Sequence, residues 1–178
     1  MRRPRIELGQ KGWRPSVIPL DHRRIYAERL KPLNITARIF TTVDTKTKGS
    51  IGVLGAAKRL AELGYSVSIP FGDNDRYDLV YERSGDFVRA QVKFVSLKDG
   101  CITVPVRTTY MGADGPKRDT YNEVEVDEFL VYCPELDEVY RISFGELKEH
   151  ASNFRLRVDD AKACNDIPTR RAADYILK

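Results

Sequence analysis

A carboxylate, an amide and an ammonium stand at Asp78, Gln91 and Lys93. Carboxylate and amide oxygens suit a hard cation, and an ammonium beside them suits an anion or a polarised water. These three groups can act together only if the chain between them folds back on itself. Tyr77 to Lys93 does read that way, as two runs rich in β-formers on either side of Ser84-Gly85, which is a hairpin signal. With Ser84 and Gly85 as the loop, Arg83 faces Asp86, Tyr81 faces Val88, Leu79 faces Ala90 and Asp78 faces Gln91. Side chains alternate along a strand, so Leu79, Tyr81, Val88, Ala90 and Val92 share an apolar face. Asp78, Gln91 and Lys93 then gather at one end of the other face. A slip of one residue would turn the apolar set outward, so the pattern itself selects the register.

An Asp with a Gln-x-Lys on the next strand suits metal-dependent phosphodiester hydrolysis. That reaction needs a divalent ion to offset developing charge and to acidify an attacking water. Mg²⁺ keeps several waters, so few protein ligands suffice. Asp78, the Gln91 side-chain oxygen and the Val92 carbonyl are the candidate metal ligands, and Lys93 would orient water and offset phosphate charge. A surface hairpin with scattered polar residues explains the same pattern, and the residues alone leave both readings open.

Other elements must carry this hairpin. Residues 1–20 hold Pro4, Pro15 and Pro19 and no clear period, an extended arm. Asp21 can cap a short helix to Leu30, and Ile35 to Val43 has a β-like composition. Thr47 or Ser50 can cap a helix running to Leu63 and ended by Gly64, with Val53, Ala56, Ala57, Leu60 and Leu63 as its apolar stripe. Gly52 and Gly55 in that helix permit close approach of a strand or of a phosphate chain. Ser66 to Pro70 and Cys101 to Val106 read as strands, and Arg107 to Thr120 as a long loop. Phe129 to Cys133 and Val139 to Ile142 read as two further strands. Ser143-Phe144-Gly145-Glu146 is a capping box opening a short helix. The order predicts an α/β domain with a mixed sheet. It divides into a basic arm over 1–45, a core over 46–150 and a tail over 151–178 that packs on the core.

At 31% charged and 42% hydrophobic residues, the 178-residue chain has the balance of one soluble globular domain. No apolar run approaches a membrane span, and the basic N-terminus lacks the apolar stretch of a signal peptide. Cys101, Cys133 and Cys164 form no CxxC pair, which argues against a zinc site and for free thiols in a reducing cytoplasm. His22 and His150 exclude chemistry that needs several histidines. Residues 1–48 carry twelve Lys/Arg against four acids, a net +8, while the remainder is net −4 with eighteen against twenty-two. A basic arm on a mildly acidic body points to a polyanion, with nucleic acid the leading partner. Arg2, Arg3 and Arg5 in the arm, with Arg76, Arg89, Arg107, Lys117 and Arg118 beyond it, are the candidate DNA contacts.

Lys48-Gly49, the helix, Gly64 to Gly72, Arg76 to Val80 and Arg89 to Lys93 together resemble the PD-(D/E)XK endonucleases associated with group I introns. Those proteins look like relatives of archaeal Holliday-junction resolvases. The likeness continues through Val126 to Tyr132, Val139 to Ile142, Leu156 to Val158 and Ala172 to Tyr175, covering roughly residues 46–178. It implies a restriction-endonuclease-like mixed sheet flanked by helices, and Mg²⁺- or Mn²⁺-dependent cleavage of double-stranded or branched DNA. Asp78 and Lys93 match the motif's Asp and Lys, and Gln91 stands at its central acid. Many relatives also place a glutamate early in the first helix. No acid occurs between Thr45 and Ala61 here, and Ser50 occupies that region. A hydroxyl is a neutral, weaker ligand, for which Asp44 or Asp75 would have to compensate. The expectation is an intron-homing endonuclease, acting as a dimer or larger even assembly on a symmetric duplex. The rivals are a junction-selective nuclease, a DNA-binding protein with weakened catalysis on the same fold, and a generic α/β interaction domain.

Overall fold

The computed structural model describes residues 42–72, 74–112, 115–148, 153–158 and 170–178. The extended arm, the short helix after Asp21, the β-like stretch up to residue 41, His22, His150 and Cys164 lie outside those residues. Among the described residues no helix is long and apolar enough to cross a membrane.

Helix α1 (Thr45–Glu62) starts one turn earlier than its sequence cues predict. Neither Thr47 nor Ser50 caps it. Asp44 does, in extended conformation, its Oδ1 accepting the Thr47 N–H at 3.0 Å. Its Oδ2 accepts the Thr47 hydroxyl at 2.6 Å. These bonds hold the Asp44 carboxyl below the usual range, the Thr47 hydroxyl contributing most. The far end closes as predicted at Gly64, with φ +87°. The Gly64 and Tyr65 N–H groups donate to the Ala61 and Leu60 carbonyls, satisfying the last turn.

Strands β1 (Val67–Ser68), β2 (Leu79–Arg83), β3 (Asp86–Phe94), β7 (Glu128–Cys133) and β8 (Glu138–Ser143) form one mixed sheet in the order β1-β2-β3-β7-β8. Among the described residues of this sheet, only the β3–β7 pair is parallel. β1 stops at Ser68, short of Pro70, which has no N–H to give to the ladder. Strands β4 (Cys101–Pro105), β9 (Asn153–Arg157) and β10 (Arg170–Arg171) form a second sheet. The one-turn helix α2 (Phe144–Leu147) carries the predicted capping box, Glu146 N–H donating to Ser143 Oγ at 3.4 Å.

The stretch from Arg107 to Thr120, read from sequence as a loop, is a hairpin of β5 (Arg107–Gly112) and β6 (Gly115–Thr120). Its second arm, Gly-Pro-Lys-Arg-Asp-Thr, has neither β-propensity nor apolar alternation. Pairing with β5, a contact invisible to a local pattern, makes it a strand.

α1 lies against the sheet through Ala56 and Leu60, which pack with Leu79, Tyr81, Val88, Ala90, Val92 and Leu130. The tail joins the same core through Leu177, whose carbonyl accepts from Arg59 Nη2 at 3.1 Å. The two helix glycines face protein, not phosphate. A Cβ on Gly52 would lie 3.3 Å from Phe94 Cβ, and one on Gly55 would lie 2.8 Å from the Tyr132 ring. Gly55→Ala should therefore destabilise the protein by about 1–3 kcal/mol, overpacking outweighing the better helix propensity of alanine. Denaturant titration checks this, and Tyr132→Leu in the same chain should recover most of the loss. A Gly55→Ala protein as stable as wild type would show that helix and strand separate freely.

Candidate active site

The β2–β3 hairpin has the register its sequence requires. Leu79 pairs with Ala90, Tyr81 with Val88 and Arg83 with Asp86. Ser84 and Gly85 both take positive φ, 56° and 88°, the backbone of a tight hairpin turn. Leu79, Tyr81, Val88, Ala90 and Val92 are all buried. Asp78, just before β2, donates its N–H to the Ala90 carbonyl at 2.9 Å and so continues the ladder.

That ladder brings Asp78 and Gln91 together. Asp78 Oδ2 accepts the Val92 N–H at 2.7 Å and is hydrogen-bonded by Gln91 Nε2. Gln91 Nε2 also donates to the Val92 carbonyl at 3.3 Å. One amide nitrogen thus bridges the carboxylate and the carbonyl expected to bind a cation. With only acceptors around it, the amide presents its NH₂. Burial raises the Asp78 pKa, and the Val92 N–H and the Lys93 charge act in the opposite direction.

Lys93 lies on the same face of β3 as Gln91, two residues on. Its Nζ donates to the Tyr121 hydroxyl at 2.9 Å and sits 5.1 Å from the Tyr121 ring centre and 5.8 Å from that of Phe129. Tyr121 had no local signal in the sequence. It lies between β6 and β7 and meets Lys93 where β7 pairs with β3.

A cleft of about 600 Å³ opens beside Asp78, lined among others by Lys46, Gly49, Ser50, Asp75 and Tyr77. Ser50 therefore shares a cleft with Asp78. Its side chain is exposed, the hydroxyl donating back to the Lys46 carbonyl at 3.3 Å. Asp75 lines this cleft too, whereas Asp44 is engaged as the helix cap. Among the described residues no three His, Cys, Asp or Glu side chains gather into a metal-binding group.

The candidate DNA contacts are dispersed. Arg89 is clamped to Asp127, with Nη2 to Oδ1 at 2.8 Å and Nε to Oδ2 at 3.0 Å, and also bonds the Val124 carbonyl. Its guanidinium, still partly exposed, ties β3 to the residue just before β7. Arg76 pairs with Glu125 at 3.5 Å and lies over the Tyr121 ring. Arg107 opens β5 and is exposed, and Lys117 and Arg118 lie on β6. Arg2, Arg3 and Arg5 lie outside the described residues.

The PD-(D/E)XK endonuclease family matches residues 43–178. This chain belongs to that family. Its mixed sheet with flanking helices is the PD-(D/E)XK fold. Members are nucleases of DNA and generally use divalent metal ions. Among solved structures the chain is similar to the bacterial homing endonuclease I-Ssp6803I, with 29% identity, a TM-score of 0.64, and coverage of 75% of this chain and 89% of that one. No curated protein matches it. Asp78, Gln91 and Lys93, expected from the sequence to match the family's motif, fall within the matched residues, and Ser50 on α1 lines the same cleft as Asp78.

The donor set fits a hard divalent ion. Asp78 Oδ2 and the Val92 carbonyl are both within hydrogen-bonding reach of one atom, Nε2 of the Gln91 amide. Turning that amide over would present its oxygen. With one anionic ligand the site favours an ion that keeps its waters.

Proposed function

We propose that this PD-(D/E)XK protein is a site-specific DNA endonuclease of the homing type, using Mg²⁺ or Mn²⁺. The observation that carries the reading is the convergence of Asp78, Gln91 and Lys93 at the end of one hairpin, beside the start of α1. The likeness to a bacterial homing endonuclease supports the biological class. Asp78, the Val92 carbonyl and Gln91 would hold the ion. When bound, such an ion offsets charge on the phosphate and acidifies an attacking water. Asp78 is kept in place by the Val92 N–H, and Lys93 brings a positive charge toward the phosphate. The Lys46 side chain in the same cleft adds a cation for the backbone of bound DNA.

The test is cleavage of a pooled duplex library with Mg²⁺, with Mn²⁺ and with chelator. Products are expected with either ion, none with chelator, and none from Lys93→Ala. Tight, salt-sensitive DNA binding without products in either ion would instead support a DNA-binding protein on a nuclease scaffold. The neutral Ser50 and Gln91, standing where an acid would strengthen the site, motivate that second reading.

The basic arm is proposed to add affinity by charge. Residues 1–41 hold ten Lys/Arg against three acids. Removing them, while keeping the Asp44 cap, should weaken DNA binding and flatten the plot of log affinity against log salt. An unchanged slope would show that the arm makes no phosphate contacts.

A further inference from the structure

Lys93 neighbours a partly buried carboxylate, yet its ammonium bonds the Tyr121 hydroxyl and forms no ion pair with Asp78. A lysine on a flexible four-carbon stem ordinarily closes onto such a group. Here an aromatic platform competes for it. Tyr121 and the fully buried Phe129 meet edge to face, centroids 5.1 Å apart, and the ammonium lies near both rings. Cation–π attraction and the hydroxyl bond act on the same nitrogen. The platform is itself braced. Arg76, held by Glu125, has its guanidinium carbon 5.2 Å from the Tyr121 ring centre.

Closure of Lys93 onto Asp78 would harm both groups. The carboxylate would lose its capacity for a cation, and the ammonium would leave the path of the phosphate. An ammonium has three N–H donors. One goes to Tyr121, which leaves two for a phosphate oxygen and a water.

We infer that Tyr121 is the positioning residue of the nuclease site: its hydroxyl and ring hold the Lys93 ammonium away from Asp78, so that carboxylate and ammonium stay separately available. This role rests on the endonuclease reading above and deepens it. Tyr121 touches neither substrate nor ion in this role and acts through Lys93.

Tyr121→Phe is the informative change, because it keeps the ring against Phe129 and Arg76 and removes only the hydroxyl. Three quantities are compared with wild type: single-turnover cleavage with Mg²⁺, DNA affinity, and Mn²⁺ affinity of the DNA-free protein by calorimetry. Cleavage should slow roughly tenfold, the scale of one charge-assisted hydrogen bond. Mn²⁺ affinity should fall several-fold, and DNA affinity should stay unchanged. In a Lys93→Ala background the same substitution should leave Mn²⁺ affinity untouched, since nothing remains to close onto Asp78. Tyr121→Gln, whose amide oxygen can accept from Lys93 without a ring, should cleave faster than Tyr121→Leu, and this pair decides the matter if the phenylalanine variant fails to fold. A Tyr121→Phe protein that cleaves and binds Mn²⁺ as wild type does overturns the role of Tyr121 alone. So does an equal loss of Mn²⁺ affinity with and without Lys93, which would mark a purely structural tyrosine. A wild-type protein that neither binds Mn²⁺ nor cleaves overturns the endonuclease reading, and this inference with it.

Discussion

Asp78→Asn removes cleavage by a factor on the order of a thousand or more, while DNA stays bound at least as tightly. Asp78 is the one carboxylate within reach of Gln91 Nε2, and no three acidic, His or Cys side chains gather anywhere among the described residues. An asparagine keeps the shape and an oxygen to accept the Val92 N–H, but it loses the charge that a divalent ion needs. Removing a negative charge beside the expected phosphate path favours DNA electrostatically. The same substitution should stabilise the ion-free protein at neutral pH. Burial raises the Asp78 pKa in the folded state. Its contribution to stability is therefore full below the unfolded value and lost as pH rises through the folded one. A neutral isostere avoids that loss. Single-turnover kinetics and thermal melts of the two proteins check both halves. A variant that still cleaves at a tenth of the wild-type rate would remove Asp78 from the active site.

Glu128→Ala costs about 1–3 kcal/mol of folding stability, the range for leaving a buried polar group without its partner, since the remaining Arg83 is 37% exposed and screened by water. Glu128 is 3% exposed, the one buried polar or charged residue among the described residues. Its Oε1 accepts the Tyr81 hydroxyl at 2.5 Å, and its Oε2 accepts from Arg83 Nη1 at 3.0 Å. Arg83 Nη1 also donates to the Tyr81 hydroxyl at 3.0 Å. The triad joins β2 to β7 across β3, so it holds the strands on either side of the one that carries Gln91 and Lys93. Alanine would leave the Tyr81 hydroxyl buried without its acceptor and Arg83 without its counter-charge. Glu128→Gln should cost less, since an amide oxygen can still accept from Tyr81. Urea titration measures both, and an alanine variant within about 0.5 kcal/mol of wild type, below the cost of an unsatisfied buried group, would show that water replaces the carboxylate. A pH dependence follows from the same triad. Burial, then Glu128, pushes the Tyr81 pKa well up in the folded state. The folded protein keeps that proton at pH values where the unfolded chain releases it, so stability falls as pH rises past about 10. Tyr132 and Tyr175, both raised to about 12 and chiefly by burial, act in the same sense. Tyr81→Phe should make the alkaline loss shallower.

The hairpin that brings Asp78 to Gln91 was legible in the sequence because its information is local. Ser84-Gly85 sets the turn, and alternation of Leu79, Tyr81, Val88, Ala90 and Val92 sets the register, which in turn puts Asp78 beside Gln91. The C-terminal end of α1 and the capping box of α2 were legible for the same reason, each being decided within about five residues. The start of α1 was misplaced by one turn because Asp44, Thr47 and Ser50 are all competent caps, and the hydrogen bonds to Thr47 select among them. Gly-Pro-Lys-Arg-Asp-Thr is a strand because the adjacent β5 pairs with it, a local pairing that its composition does not signal. Chain-distant contacts decided the rest. Gly52 and Gly55 admit a strand and a tyrosine ring because α1 lies on β3 and β7. Arg89, a phosphate contact by residue type, is paired at the surface with Asp127, thirty-eight residues away. Tyr121 meets Lys93 across twenty-eight residues, and Glu128 meets Tyr81 across forty-seven. By itself the sequence determined which groups could do chemistry and the hairpin that joins them. Tertiary structure alone decided which charges remain available for it, because burial and ion pairing depend on neighbours that no local pattern specifies.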